Sequence, residues 1–355
     1  MALALVTTGV LMFLAVPFLR VEFGGVDERV LPEGTESRVV SERIADEFPN
    51  GQADPIVVLV SGASAAEAGE FASEIKTIPG VRDAVPTGNR GESTVITVSY
   101  RGASTSTDAR DTVAEIRDLE RPAGAEVLVG GRTAELVDLL AGLGQRLPWM
   151  ALIVAGVTFV LLFAAFGSIV LPLKAILMNL LSIGASFGAV VWIFQDGNFA
   201  DLLGFTSTGF LEATQPILML TVLFGLSMDY EVFLLSRIRE QWDLLGDNTA
   251  AVASGVQRTG RIITAAALLL VVVVIGAFAT SGITFIKMIG VGMVVAILVD
   301  ATLVRMLLVP ATMRLLGRYN WWLPPFLRGV YARYGIRESD DPAVPPLPRE
   351  LAAVR

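Results

Sequence analysis

Residues 214–235 read TQPILMLTVLFGLSMDYEVFLL. The run is as long as the roughly 20 apolar residues that a helix needs to cross a hydrocarbon core, yet it holds an acid, Asp229, well inside its length. A carboxylate at mid-bilayer costs about 2.5–3.5 kcal/mol on insertion scales, so an acid kept there points to an ion path, a proton relay or a buried partner. This one stretch therefore sets the class of the molecule and the place to look for its chemistry.

Five further stretches of the same kind surround it, at roughly 1–19, 148–166, 175–195, 262–280 and 284–312. The composition agrees, with 53% hydrophobic and only 17% charged residues, against about 25% charged in ordinary globular chains. The pattern predicts a membrane α-helical bundle of six transmembrane helices. The first stretch has the look of a secretory signal, but it lacks a basic leader and offers no small-residue cleavage site over residues 17–21, so it reads as a retained span. The chain contains no Cys and no His. Disulfide stapling and thiolate chemistry are thereby excluded, along with the commonest general base and metal ligand, and most hydrolase and metalloenzyme classes go with them. No cofactor is expected.

The formal net charge of −8 is unevenly distributed. Residues 20–147 hold 13 basic and 22 acidic side chains, and the remainder is close to neutral, so the acidity belongs to one hydrophilic block and nucleic acid is not a partner. The expected division is transmembrane helix 1 at 1–19, an extracytoplasmic domain at 20–147, a five-helix bundle at 148–316 and a cytoplasmic tail at 317–355. Within the block, residues 36–48 form a helical pattern ended by Pro49 and Gly51. Residues 55–60 then read as a strand, 65–77 as a helix, 81–85 and 94–100 as strands, 108–120 as a helix with Thr107 as its cap, and 126–129 as a strand. From Pro55 the order β-α-β-β-α-β is that of an α+β ferredoxin-like domain. A further helical pattern over 133–147 runs straight into the second span, making domain and membrane mechanically continuous.

Basic residues accumulate on the cytoplasmic side. Lys174 falls at the turn between the second and third spans, Arg237, Arg239, Arg258 and Arg261 flank the loop between the fourth and fifth, and Arg314, Arg318, Arg328, Arg333 and Arg337 follow the sixth. The loop 196–212 has acids but no Lys or Arg. Both termini are thus expected in the cytoplasm and the acidic block outside, with Thr87 and Ser104 facing out and Asn248 facing in. Trp321 and Trp322 suit an interface anchor. The proline-rich tail beyond Glu338 is expected to lack fixed structure.

Polar residues inside the spans are the candidates for chemistry. Asp229 is the strongest, with Tyr230 as a hydrogen-bonding neighbour; the bland reading is a solvated helix end or a structural hydrogen bond. Glu231 lies about 200° around the helix from Asp229 and is expected to reach the interface. Gly225, one turn before Asp229, would let another helix approach that face. Asn179, Ser182 and Ser186 make one stripe on the third span, which small polar residues also use for ordinary packing. Asp300 and Arg305 are about 140° apart on an ideal helix, so each is expected to need a partner on another helix. Lys287 is expected to snorkel to the outer surface.

Residues 224–239, FGLSMDYEVFLLSRIR, resemble the fourth-span motif of the MMPL transporters, a branch of the resistance-nodulation-division (RND) superfamily. VLPEGTESRVVSERIADEFP at 30–49 and VAILVDATLVRMLLVPATMRLLGRYNWWLP at 295–324 are similar to further parts of that family, as is the order of one span, an outer domain and five spans. The resemblance implies proton-coupled export of lipids or other hydrophobic molecules across the cytoplasmic membrane of a bacterium, through an extracytoplasmic porter domain and with the proton gradient as energy source. It places the proton relay on Asp229 and Tyr230 and the sixth-span acid on Asp300, while Arg305 and Gly225 are expected from their spacing alone to be supporting intramembrane positions. Family members carry two such halves. This sequence resembles one half, the C-terminal one, and the expectation is a truncated or split-gene product or a half that dimerises, in each case needing a partner half.

Two other readings compete. An intramembrane aspartyl protease would pair Asp229 with Asp300, but MDYE and VDAT lack the YD and GxGD settings of that family. A sensor or scaffold with the same fold has no need to keep an acid in lipid. No P-loop is present, so ATP is not expected as the energy source unless a partner supplies it.

Overall fold

The computed structural model describes residues 1–47 and 54–336. Helix α1 (Ala2–Ala15) continues as a 3₁₀ turn to Arg20 and leads into β1 (Phe23–Gly24) and α2 (Glu36–Glu47). The expected stop of α2 at Pro49 and Gly51 lies outside the described residues, as does the tail from Arg337 onward. The acidic block follows as β2 (Ile56–Ser61), α3 (Ala65–Ile75), β3 (Val81–Arg90), β4 (Ser93–Tyr100), α4 (Thr107–Asp118) and β5 (Glu126–Gly130).

The four longer strands form one antiparallel sheet in the order β3-β4-β2-β5. Alternation along β2 and β4 turns Ile56, Val58, Val60, Ile96, Val98 and Tyr100 to one face, where Phe71 and Ile75 of α3 and Val113 and Ile116 of α4 cover them. Strand β3 runs five residues beyond its expected end. It lies at the sheet edge, where Pro86 costs no ladder bond and two register shifts absorb the irregularity. Ser64 and Glu67 form a reciprocal capping box on α3. The cap of α4 falls one residue before the expected Thr107: the Ser106 hydroxyl accepts from the Ala109 N–H at 3.2 Å.

From Gly131 the chain enters α5 (Arg132–Phe166), a single 35-residue helix that passes through Pro148 and joins the acidic block to the bundle. Its first turn is tied to the block. Thr133 Oγ1 meets the Tyr100 hydroxyl at 3.0 Å, and Arg117 of α4 pairs with Asp138 at 2.7 Å. Burial pushes the Tyr100 phenol up from its ordinary range. Then come α6 (Val170–Val190), α7 (Ala200–Leu203), β6 (Leu211–Glu212), α8 (Gln215–Leu245), α9 (Asn248–Val274), α10 (Thr284–Leu298), α11 (Val309–Leu316) and α12 (Arg328–Tyr334). Widened π-helical turns extend α6 to Gln195 and α9 to Ala279, and join α10 to α11 over Val299–Leu308.

Among the described residues six helices are long and apolar enough to cross a membrane. They are the six expected spans, several extended at their ends because a helix continues into polar sequence once it leaves hydrocarbon. Leu11, Leu162, Leu171, Leu234, Leu235, Ile238 and Met313 form the bundle core. Helices α1 and α6 touch through Gly188, where any side chain would strike the Leu14 carbonyl. β1 pairs in parallel with β6, fastening the start of the acidic block to the segment before α8.

Four side chains depart from expectation. Asn248 is buried, where it donates to the Met313 carbonyl at 2.9 Å. Trp321 faces inward, stacked on Trp242 at 5.9 Å, and Trp322 alone is exposed. Lys287 does not snorkel but is buried, its ammonium donating to the Leu203 and Gly204 carbonyls at the end of α7. Lys174 lies within α6 and is buried rather than solvated at a turn.

Candidate functional site

Helix α8 presents two faces of opposite character. Toward the bundle it turns Met219, Leu223, Ser227, Glu231 and Leu234, all buried. Away from the bundle it turns Leu218, Val222, Gly225, Asp229 and Val232, all exposed. Their spacing of three and four residues is that of a single helix face.

The inner face meets a polar cluster built from three helices. Ser227 Oγ lies 2.6 Å from Asn179 Oδ1 of α6 and 3.0 Å from Asp300 Oδ1 in the π-helical segment. Arg305 donates to Asp300 Oδ2 at 2.7 Å, to Ser227 Oγ at 3.1 Å and to the Ser227 carbonyl. The guanidinium also sits 5.2 Å over the Tyr230 ring. Asp300 and Arg305 therefore pair with each other, contrary to the expectation from an ideal α-helix. The intervening turn is π-helical, and its i→i+5 closure brings residues five apart onto one face. Pro310, unable to donate to the turn before it, follows directly. Each residue of the pair also reaches α8, as expected.

Deeper in the bundle Glu231 is buried instead of reaching the interface, because its face of α8 packs toward α6. It lies close enough to Lys174 for their charges to attract, with Asp300 and Arg305 next in range. Glu231 Oε1, Lys174 Nζ and Arg305 Nη1 find no hydrogen-bond partner among the described residues. Above them the buried stripe Asn179, Ser182 and Ser186 lines a small internal cavity with Ser227, Tyr230 and Asp300. About 20 Å³ of it is open to the centre of a water molecule, enough for a single water with several polar neighbours.

Asp229 belongs to neither group. It is exposed, and it makes no hydrogen bond or ion pair among the described residues. Tyr230 turns sideways to line the cavity, and its hydroxyl has no hydrogen-bond partner there, so the expected Asp229–Tyr230 contact is not made within this chain. Gly225 stands on the Asp229 face with nothing within 4 Å of where a side chain would begin. Sequence reading brought out Asp229, Tyr230, Asp300, Arg305 and Gly225; the structure joins Tyr230, Asp300 and Arg305 and leaves Asp229 and Gly225 apart on the outer face. It adds Ser227 as the hub and Lys174 as the cation facing Glu231. Lys174 could have been found: it is the only Lys or Arg between Arg146 and Arg237. Ser227 carries no such signal. Among the described residues no group of acids could hold a metal ion.

Comparison with known proteins gives a match to the MMPL family model over residues 29–335. The chain is 43% identical to a membrane protein of Streptomyces coelicolor, over 99% of this chain and 49% of that protein. It is 35% identical to the trehalose monomycolate exporter MmpL3 of Mycobacterium tuberculosis, over 98% of this chain and 39% of the exporter. The heme uptake protein MmpL11 of the same species is 38% identical over 92% of this chain and 35% of its own length. The chain thus spans about half the length, or less, of these relatives.

Proposed function

The chain belongs to the MMPL family, and on that premise we propose that it is one half of a proton-coupled RND-type transporter exporting lipids or other hydrophobic molecules across the cytoplasmic membrane. The cargo class is supported by the named relatives, one a trehalose monomycolate exporter and another a heme uptake protein. Transport, not catalysis, is the role, and the proton gradient is the energy source.

The outward face of α8 is the observation that carries this reading. An acid in a span is tolerated when it faces a bundle interior or a water-filled path, and Asp229 faces neither within this chain. The face becomes an interior only when a second bundle covers it, and Gly225 leaves room for a close approach. The partner is a second six-span half, either another copy or a different chain. Across that seam Asp229 carries the proton, with Tyr230 as its neighbour. Asp300 and Arg305 stabilise the inner face and tune the relay without carrying protons themselves.

Residues 20–147 act as a ferredoxin-like porter domain outside the membrane, between the span at 1–19 and the five-helix bundle at 148–316, with the tail from 317 in the cytoplasm. Support comes from the β-α-β-β-α-β order, the antiparallel sheet and the position of basic residues at one end of the bundle.

The test is transport in proteoliposomes under an imposed pH gradient. Asp229→Asn is expected to insert and fold normally and to abolish gradient-driven transport; transport at the native rate would defeat the relay. A cysteine at Val222, on the same face two turns earlier, is expected to cross-link to a partner half. Full transport by a strict monomer would defeat the half-transporter reading.

A further inference from the structure

Past α11 the chain does not leave the bundle but crosses one end of it. Gly317–Trp321 and Pro325–Leu327 form 3₁₀ turns, and α12 follows. This strap is fastened first to the α8–α9 turn: Asn320 Nδ2 joins Asn248 in donating to the Met313 carbonyl, and Trp321 Nε1 donates to Asn248 Oδ1 at 3.3 Å. It is fastened next to the α5–α6 turn. Ser168 Oγ donates to the Asn320 carbonyl at 2.6 Å, the Ile336 N–H donates to the Ala164 carbonyl at 2.9 Å, and Tyr331 packs edge-on to Phe163 at 6.2 Å. Gly167, with φ 61°, is required there twice over, since a Cβ would come 2.6 Å from the Tyr331 ring. Both turns cap candidate spans, so the strap lies where hydrocarbon gives way to headgroups.

Its outer side combines two kinds of residue. Trp322, Phe326, Val330 and Tyr334 are exposed, Phe326 to 78%, although fixed anchors hold the backbone on either side. Arg314 and Arg318 precede this row and Arg328 and Arg333 fall within it, all four exposed and in no salt bridge among the described residues. From Ala301 through Arg337 the sequence holds no Asp or Glu. An exposed aromatic row would be costly in water but is favourable among headgroups, where amphipathic rings settle. Guanidinium groups beside it match phosphate oxygens in shape as well as charge.

We infer that residues 314–336 form a docking surface for anionic phospholipid, with the aromatic side chains among the headgroups and Arg314, Arg318, Arg328 and Arg333 on the lipid phosphates. A bilayer is already present at this level of the bundle, whereas a protein occupant would have to supply both an acidic complement and an apolar cover. Lipid held here braces the α5–α6 and α8–α9 turns together.

The full chain is examined in nanodiscs of phosphatidylcholine, with and without phosphatidylglycerol. Because the chain has no cysteine, V330C carries a single environment-sensitive fluorophore. The label is expected to be better shielded from an aqueous quencher in the anionic discs. By native mass spectrometry the purified chain is expected to retain phosphatidylglycerol over phosphatidylcholine, and each Arg→Gln change among the four lowers that preference about fivefold, the worth of one basic residue near an anionic surface. R328Q/R333Q is the first variant to make, since both side chains are exposed. Should it fold poorly, raised salt on the native chain must weaken the preference instead. Equal retention of the two lipids overturns the inference, as does a preference indifferent to both the arginines and salt. Shielding that appears only with added cytosolic protein overturns it in favour of a protein partner.

Discussion

Two ion pairs in this molecule have the same length and opposite surroundings. Lys76–Asp83 on the acidic block and Arg305–Asp300 in the bundle both close at 2.7 Å, but the first pair is 48% and 40% exposed and the second 3% and 13%. Water competes with the first at every point. In the second, each charge depends on its partner, on Ser227 and, for Arg305, on the Tyr230 ring, because hydrocarbon and packed side chains offer little else. Distance alone therefore says little about what a pair contributes; what surrounds it decides. Asp229 completes the series as an intramembrane charge without a partner in this chain. Under the half-transporter proposal its position would be explained by a partner surface, whereas Asp300 is explained by contacts within this chain.

The sharpest way to break this contrast is to remove one charge of the inner pair. Asp300→Asn leaves Arg305 buried, and a guanidinium cannot shed its proton. A loss of about 3–5 kcal/mol is expected, the range for breaking a buried pair. Arg305→Met leaves a carboxylate that can neutralise itself, so it is expected at the lower end of that range. The double variant should lose less than the sum of the two, since the residues share one interaction. Thermal unfolding in detergent reads all three. Unchanged stability in Asp300→Asn, with complete loss of proton coupling, would move Asp300 from a supporting role into the relay itself.

Ser227→Ala tests the hub between the helices. It strips Asn179 Oδ1 of its 2.6 Å donor and leaves the amide oxygen buried, at an expected cost of about 1–3 kcal/mol. The Arg305 contact to the Ser227 carbonyl survives the change. If Ser227→Ala matched Asp300→Asn in cost, the hydroxyl would be holding the pair together, and the contrast drawn above would concern hydrogen bonding more than charge.

The six spans and the strand order were legible because apolar length and period-two alternation are local properties that a single sequence displays. The angle between Gly225 and Asp229 was legible for the same reason. Whether that face is covered depends on neighbours far along the chain, and this is why Glu231 and Asp229, two residues apart, exchanged the environments expected of them. The Asp300–Arg305 pairing was hidden by a π-helical segment that hydrophobic periodicity does not announce. Lys174, Lys287 and Asn248 read as surface residues because they border turns, yet each is buried by a helix or strap from elsewhere. Topology is checked accordingly with cysteines at Thr87 and at Thr249, an exposed neighbour of Asn248. In spheroplasts an impermeant thiol reagent is expected to label only the first.

The smallest effect belongs to the outer pair. Lys76, hydrogen-bonded to Asp83, holds that carboxyl below its usual range. A depressed carboxyl contributes stability above its unfolded value and loses it as pH falls through the folded one. Lys76→Met removes this contribution, so the variant should melt slightly below the native chain at neutral pH and low salt. The two curves should then converge in acid, where Asp83 is protonated in both, and also in high salt, which screens an exposed pair. Melting followed by intrinsic fluorescence over pH and ionic strength supplies the comparison. A gap that persisted in high salt would mean that the Lys76 stem packs on the block and that the ion pair is incidental. A gap as large as that of Asp300→Asn would remove the distinction between hydrated and buried pairs on which the reading of α8 depends.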